Sequence, residues 1–92
     1  MVPIHPGRIL LRELDARDLS ANALSRALRV SSGRIVEILN GKRAISAETA
    51  LRLGRYFDND ALFWLNLQAQ YDLAVAQRDV GVRIKKEVEV AA

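Results

Sequence analysis

Apolar positions along the chain recur at three- and four-residue steps in successive stretches separated by polar breaks, a pattern that predicts an all-α chain. The sharpest pattern lies between Leu19 and Arg43. There Leu24, Leu28, Val30, Ile35 and Ile38 let two short helices turn apolar faces toward one core, while Ser25 leaves room for close approach. Ser20 and Ser31 stand where N-caps belong, their hydroxyls able to accept from backbone N–H groups that are otherwise unsatisfied. Two capped helices joined by a tight turn make a helix-turn-helix.

The same periodicity places three more helices around this unit. The first runs over residues 6–16, with Pro6 suited to an opening turn, His5 at the cap position, and Ile9, Leu10 and Leu14 facing inward. Ser46 caps a fourth helix whose inward stripe is Ala50, Leu53, Gly54 and Phe57. Glycine inside that stripe signals a close crossing. Asp60 caps the longest helix, over residues 61–77. Two apolar lines coexist on it: Trp64, Leu67, Tyr71 and Val75 on one side, and Leu62, Leu65, Ala69, Leu73 and Ala76 on the other.

A chain this short covers one line with its own core, which leaves the other for a partner. Trp64 and Tyr71 are the candidate anchors, with Leu65, Ala69 and Leu73 beside them; the alternative for the aromatics is burial in the core of the single chain. Beyond residue 79, Val80, Val82 and Ile84 alternate with other residues as in a short strand, although Ile84 and Val88 also fit one helical turn. Residues 80–92 are therefore read as a tail, extended or ordered by a partner, with Ile84 as its candidate contact.

The candidate chemistry sits on the second helix of the pair. Ser32, Arg34, Glu37 and Asn40 face away from the core, and Lys42 and Arg43 follow Gly41 just past the helix end. Serine exchanges hydrogen bonds with base edges, arginine makes two parallel bonds to guanine, glutamate accepts from cytosine, and the basic pair neutralises phosphates. The alternative is that these are ordinary solvated faces of a small helical domain.

Composition sharpens this picture. The formal charge is +3, but residues 1–55 hold ten Lys or Arg against five Asp or Glu, and residues 56–92 hold four against six. A basic half that contains the helix-turn-helix is the electrostatic footprint of a nucleic-acid binder. Cysteine is absent and there is one histidine, so no disulfide, thiolate metal site or nucleophilic constellation is expected, and no cofactor. No apolar run reaches the length of a membrane span and no export signal opens the chain, so a cytoplasmic protein of one domain is expected.

The segments HPGRIL at residues 5–10, LSANALSRAL, RIVEILNGKR, AETALRLGRYF and FWLNLQAQYDL together resemble antitoxins of the HigA type, within the Xre family of helix-turn-helix regulators. The resemblance covers residues 5–83. It implies an all-α, five-helix, lambda-repressor-like domain, here residues 1–79, that forms a homodimer on a palindromic double-stranded operator. It also implies a protein partner, a HigB-like, ribosome-dependent mRNA interferase that the antitoxin neutralises. Ser31, Ser32, Arg34 and Glu37 fall on the family's recognition-helix contact positions, and Asn22, Asn40, Lys42 and Arg43 on its backbone-contact positions. Two departures stand out. Arg29 occupies a turn position that is commonly glycine, and Gly33 occupies one that commonly carries a polar reader.

Three functions fit these residues: an antitoxin that represses its own operon, a toxin-inhibiting module with little DNA binding, and a solitary phage-type repressor. Catalysis has no constellation to support it.

Overall fold

The computed structural model describes residues 2–92, and among them five helices and no strand: α1 (Pro6–Ala16), α2 (Ala21–Leu28), α3 (Ser32–Leu39), α4 (Ala47–Phe57) and α5 (Ala61–Glu87). Each starts where its capping residue predicts. The side chains of His5, Ser20, Ser31, Ser46 and Asp60 accept from the backbone N–H groups of Gly7, Ala23, Arg34, Thr49 and Leu62 at 2.9–3.2 Å. These bonds satisfy donors that a helix leaves open in its first turn.

The first four helices also end alike. Asp18, Arg29, Gly41 and Asp58 take left-handed backbone angles, with φ of 51°, 61°, 74° and 54°. The next residue's N–H then reaches back to the carbonyl five positions earlier: Leu19 to Leu14, Val30 to Ser25, Lys42 to Glu37 and Asn59 to Gly54, at 2.8–3.0 Å. Three full Schellman motifs, and a fourth turn that shares their long closing bond, thus turn the chain sharply between short helices.

The core is Leu10, Leu14, Leu24, Leu28, Ile35, Ile38, Ile45, Ala50, Leu53 and Trp64, with Ile9, Val30, Phe57, Leu65 and Leu67 packed at its margin. Two glycines set its close crossings. A Cβ on Gly7 would stand 2.0 Å from the Ile38 carbonyl oxygen, and one on Gly54 would stand 2.8 Å from that of Asn59, so α1 meets α3 and α4 meets the turn into α5 almost backbone to backbone. The crossing predicted at Gly54 is this one.

Two expectations are corrected. Residues 80–87 are neither extended nor unformed: α5 continues ten residues past Gln77, to Glu87. Val80, Val82 and Ile84 mimic a strand's alternation, but nothing between Gln77 and Val88 breaks a helix except a tolerated Gly81. Arg83 also pairs with Glu87 one turn on at 3.7 Å, and Lys85 and Lys86 complement the carbonyl end of the dipole. Trp64 is fully buried, its Nε1 donating to Asn59 Oδ1 at 3.0 Å, so it anchors the core and is no partner contact.

Tyr71 is half-buried against the His5 ring, centroids 4.9 Å apart. Leu65 is half-buried at the core margin, whereas Ala69, Leu73 and Ile84 are exposed. The first apolar line of α5 therefore faces inward and most of the second lies open, along a helix about 40 Å long in a molecule of 52 × 22 × 22 Å.

Candidate nucleic-acid interface

Ile35 and Ile38 pin α3 to the core with no exposed surface, so the opposite face of the same helix projects outward. Ser31, Ser32, Gly33, Val36 and Asn40 are exposed there, with Arg34 and Glu37 half-buried on the flanks. The Ser31 hydroxyl accepts from Arg34 N–H as a cap, yet its own O–H remains available to donate. A Cβ built on Gly33 meets nothing within 4 Å, so this departure from a polar reader leaves a flat, open place on the projecting face.

The basic loop after α3 is held in place from two sides. Gly41, at φ 74°, permits the turn and lies over His5, whose ring atoms come within 3.7 Å of where its Cβ would be. His5 Nδ1 accepts from Gly7 N–H at 2.9 Å, which fixes the ring beneath the turn. Burial pushes the His5 pKa below its ordinary value, although the nearby Asp72 carboxylate opposes the shift. From α5, the buried Gln68 accepts from Ile45 N–H at 2.8 Å and donates to Asp72 at 2.9 Å. The HPG opening and Gln68 therefore both act as supports for the segment that carries Lys42 and Arg43. Lys42 and Arg43 are exposed. Asn22 is exposed in the first turn of α2, where unpaired backbone N–H groups suit a phosphate.

The two charged positions on the flanks are not bare. Arg34 Nη1 donates to Glu48 Oε1 at 3.0 Å, across to the first turn of α4. Arg43 donates to Glu37 Oε1 from Nε at 3.2 Å and from Nη2 at 2.9 Å. Arg52 lies 3.6 Å from the same Glu48 oxygen and donates to the Leu28 carbonyl at 2.8 Å. The hydrogen bond from Arg34, with the charge of Arg52, holds the Glu48 carboxyl below the usual carboxylate range.

The sequence reading singles out Ser31, Ser32, Arg34, Glu37, Asn40, Lys42 and Arg43; in the structure Ser31, Ser32 and Asn40 are exposed on α3 and its caps, Arg34 and Glu37 half-buried on its flanks, and Lys42 and Arg43 exposed in the loop that follows. It overlooks Val36, 42 % exposed among the polar positions and suited to a thymine methyl. It also overlooks Gln68, a polar residue one turn from Trp64 on the inward line. Glu48 carries no sequence signal for its pairing with a residue fourteen positions away. Among the described residues no cluster of His, Cys, Asp or Glu could hold a metal ion, and no helix is long and apolar enough to cross a membrane.

A family of helix-turn-helix domains matches residues 10–64. Virulence-associated protein I of Dichelobacter nodosus is 55% identical over 80 residues, which cover 86% of this chain and 74% of that protein. An addiction module antidote protein of a HigA family from Coxiella burnetii superposes with a TM-score of 0.97 at 48% identity, over 99% of this chain and 100% of that one. Pseudomonas aeruginosa antitoxin HigA, in a structure with the higBA promoter, gives 0.96 at 49% identity over the same shares of each chain. With the helix-turn-helix match spanning more than half of its residues and HigA structures matching it nearly end to end, the chain belongs to the Xre-type helix-turn-helix family, in its HigA antitoxin branch.

Proposed function

We propose that this chain is the antitoxin of a type II toxin–antitoxin pair. As a homodimer it binds a palindromic operator to repress its own operon, and it neutralises a HigB- or RelE-like mRNA interferase. The observation that carries the reading is the outward face of α3, followed by the braced Lys42–Arg43 loop, on a fold that superposes on HigA solved with promoter DNA.

In this reading α3 enters the major groove, with Ser31, Ser32, Arg34 and Glu37 at base edges, while Asn22, Asn40, Lys42 and Arg43 meet the phosphates. The exposed line of α5, with Ala69, Leu73 and Ile84 beside the half-buried Leu65 and Tyr71, supplies a self-complementary surface for the dimer. Such a dimer sets its reading helices about 34 Å apart, one turn of DNA. The toxin's own substrate is a polyanion, so a basic toxin complements the net-negative half from residue 56 onward.

Binding to the DNA upstream of the gene, compared with a scrambled duplex of the same length, tests the DNA arm. Lys42→Ala weakens both and flattens the salt slope by about one unit, as loss of one phosphate contact requires. Arg34→Ala erodes mainly the preference for the operator, by about 1–3 kcal/mol at one base per half-site. Equal loss on both duplexes for Arg34→Ala removes it from the reading set. Co-expression with the neighbouring reading frame tests the toxin arm: rescued growth supports it, and no rescue by the wild type leaves a plain repressor.

A further inference from the structure

The pairing of Arg34 with Glu48 has a consequence for selectivity, given the proposed DNA binding on which it rests. Arg34 on α3, Glu48 and Arg52 on α4, and the Leu28 carbonyl at the end of α2 form a continuous run of contacts at 3.0, 3.6 and 2.8 Å. It ties the reading helix to α4, and α4 in turn to the end of α2. Only Nη1 of Arg34 is taken up by Glu48, which leaves its Nε–Nη2 edge uncommitted among the described residues. A guanidinium presents its donors as a rigid planar fork, so a carboxylate contact at Nη1 restricts the directions in which the free edge points. That edge is the part that makes two parallel bonds to guanine O6 and N7.

Glu48 itself stands largely in solvent, its side chain 63 % exposed. A phosphate drawn toward Arg34 therefore meets a carboxylate carrying the same sign of charge, whereas a neutral base edge does not. The lowered Glu48 pKa keeps that carboxylate ionised at neutral pH.

We infer that Glu48 is a specificity-determining positioning residue, which aims the Arg34 fork at a base edge and withholds its charge from the phosphate backbone. Removing the Glu48 charge frees Arg34 to settle on any phosphate. Non-specific binding then gains while operator binding gains nothing.

The test measures dissociation constants for operator and scrambled duplexes across a salt series. Glu48→Gln is expected to tighten scrambled binding and steepen its salt slope by about one unit. It is also expected to cut the operator-to-scrambled preference by about tenfold, a drop within the range of a single base contact. Glu13→Gln removes an equal charge from the exposed Arg17 pair on α1 and leaves the preference unchanged. Arg34→Lys, which keeps the charge and loses the fork, reproduces the fall in preference, and Glu48→Gln has no further effect on preference in an Arg34→Ala background. An equal change on both duplexes for Glu48→Gln, or a full additional effect in the Arg34→Ala background, overturns the inference. A wild-type protein that shows no operator preference at all overturns the DNA-binding reading beneath it.

Discussion

At the scale of single residues, the left-handed turn at Arg29 is the clearest place where this chain departs from its best local choice. Asp18 and Asp58, at the same position in two other turns, have short polar side chains that tolerate such angles, and Gly41 has no Cβ to clash; Arg29 has neither advantage. Arg29→Gly relieves the clash but gains unfolded-state freedom, and the net expectation is a stability increase of up to about 1 kcal/mol, read by chemical denaturation. His5 supplies a pH dependence. Its pKa is lowered in the folded chain, chiefly by burial, so the unfolded chain takes up the proton first as pH falls. Stability is thus complete above the ordinary value of 6.5 and declines as pH drops below it, toward the folded-state value. Protonation also removes the Nδ1 lone pair that caps α1. Melting temperatures should fall between about pH 7.5 and pH 5.5, and His5→Asn, which keeps a capping oxygen without a titrating ring, should flatten the decline.

Among the helices, legibility follows how local the determining contact is. Every N-cap was readable because a serine, aspartate or histidine side chain bonds only two or three residues ahead. The end of α5 was not, since a run of β-branched residues at alternate positions suits a strand and a helix alike and only the Arg83–Glu87 pair and the last-turn lysines favour one. Trp64 was ambiguous for a different reason: an aromatic on a two-sided helix goes to whichever side the other four helices fill, and no spacing reveals that side. The ring of contacts around Arg34 and the brace through Gln68 join residues 14 and 23 positions apart, beyond any periodicity. Gln68 gives that brace a measurable value. Gln68→Leu fills much the same space but leaves the buried Ile45 N–H without an acceptor, which should cost about 1–3 kcal/mol. The loop of Lys42 and Arg43 loses one of its two supports with it, so affinity for DNA of any sequence should fall as well; unchanged stability would mean that Ile45 finds another acceptor.

Over the whole molecule, the two proposed activities lie at different places and should separate. The reading face of α3 belongs to the basic half, whereas Asp58, Asp60, Asp72, Asp79, Glu87 and Glu89 belong to the acidic half, most of it the long α5. Exposed Leu73, Val82 and Ile84 lie along that helix, and the last two stand on the part that the sequence pattern alone leaves as a tail. A charge placed there, as in Ile84→Glu, lies far from the core of the single chain. It should therefore leave the melting temperature of dilute protein nearly unchanged while shifting sedimentation toward monomer. Operator binding should weaken with it, because one reading helix must then bind without its two-fold mate. Arg34→Ala works from the other end: under the proposed function it should lose operator preference, keep the wild-type sedimentation behaviour, and still rescue growth when co-expressed with the neighbouring reading frame. In the proposed pairing, electrostatic steering by the acidic half would set the rate of meeting a basic toxin more than the strength of holding it, so raised salt should slow that association without abolishing rescue. If Arg34→Ala and every other variant defective in DNA binding also fail to rescue, the two activities share one surface, and the division of this molecule into a basic reading half and an acidic partner half is wrong.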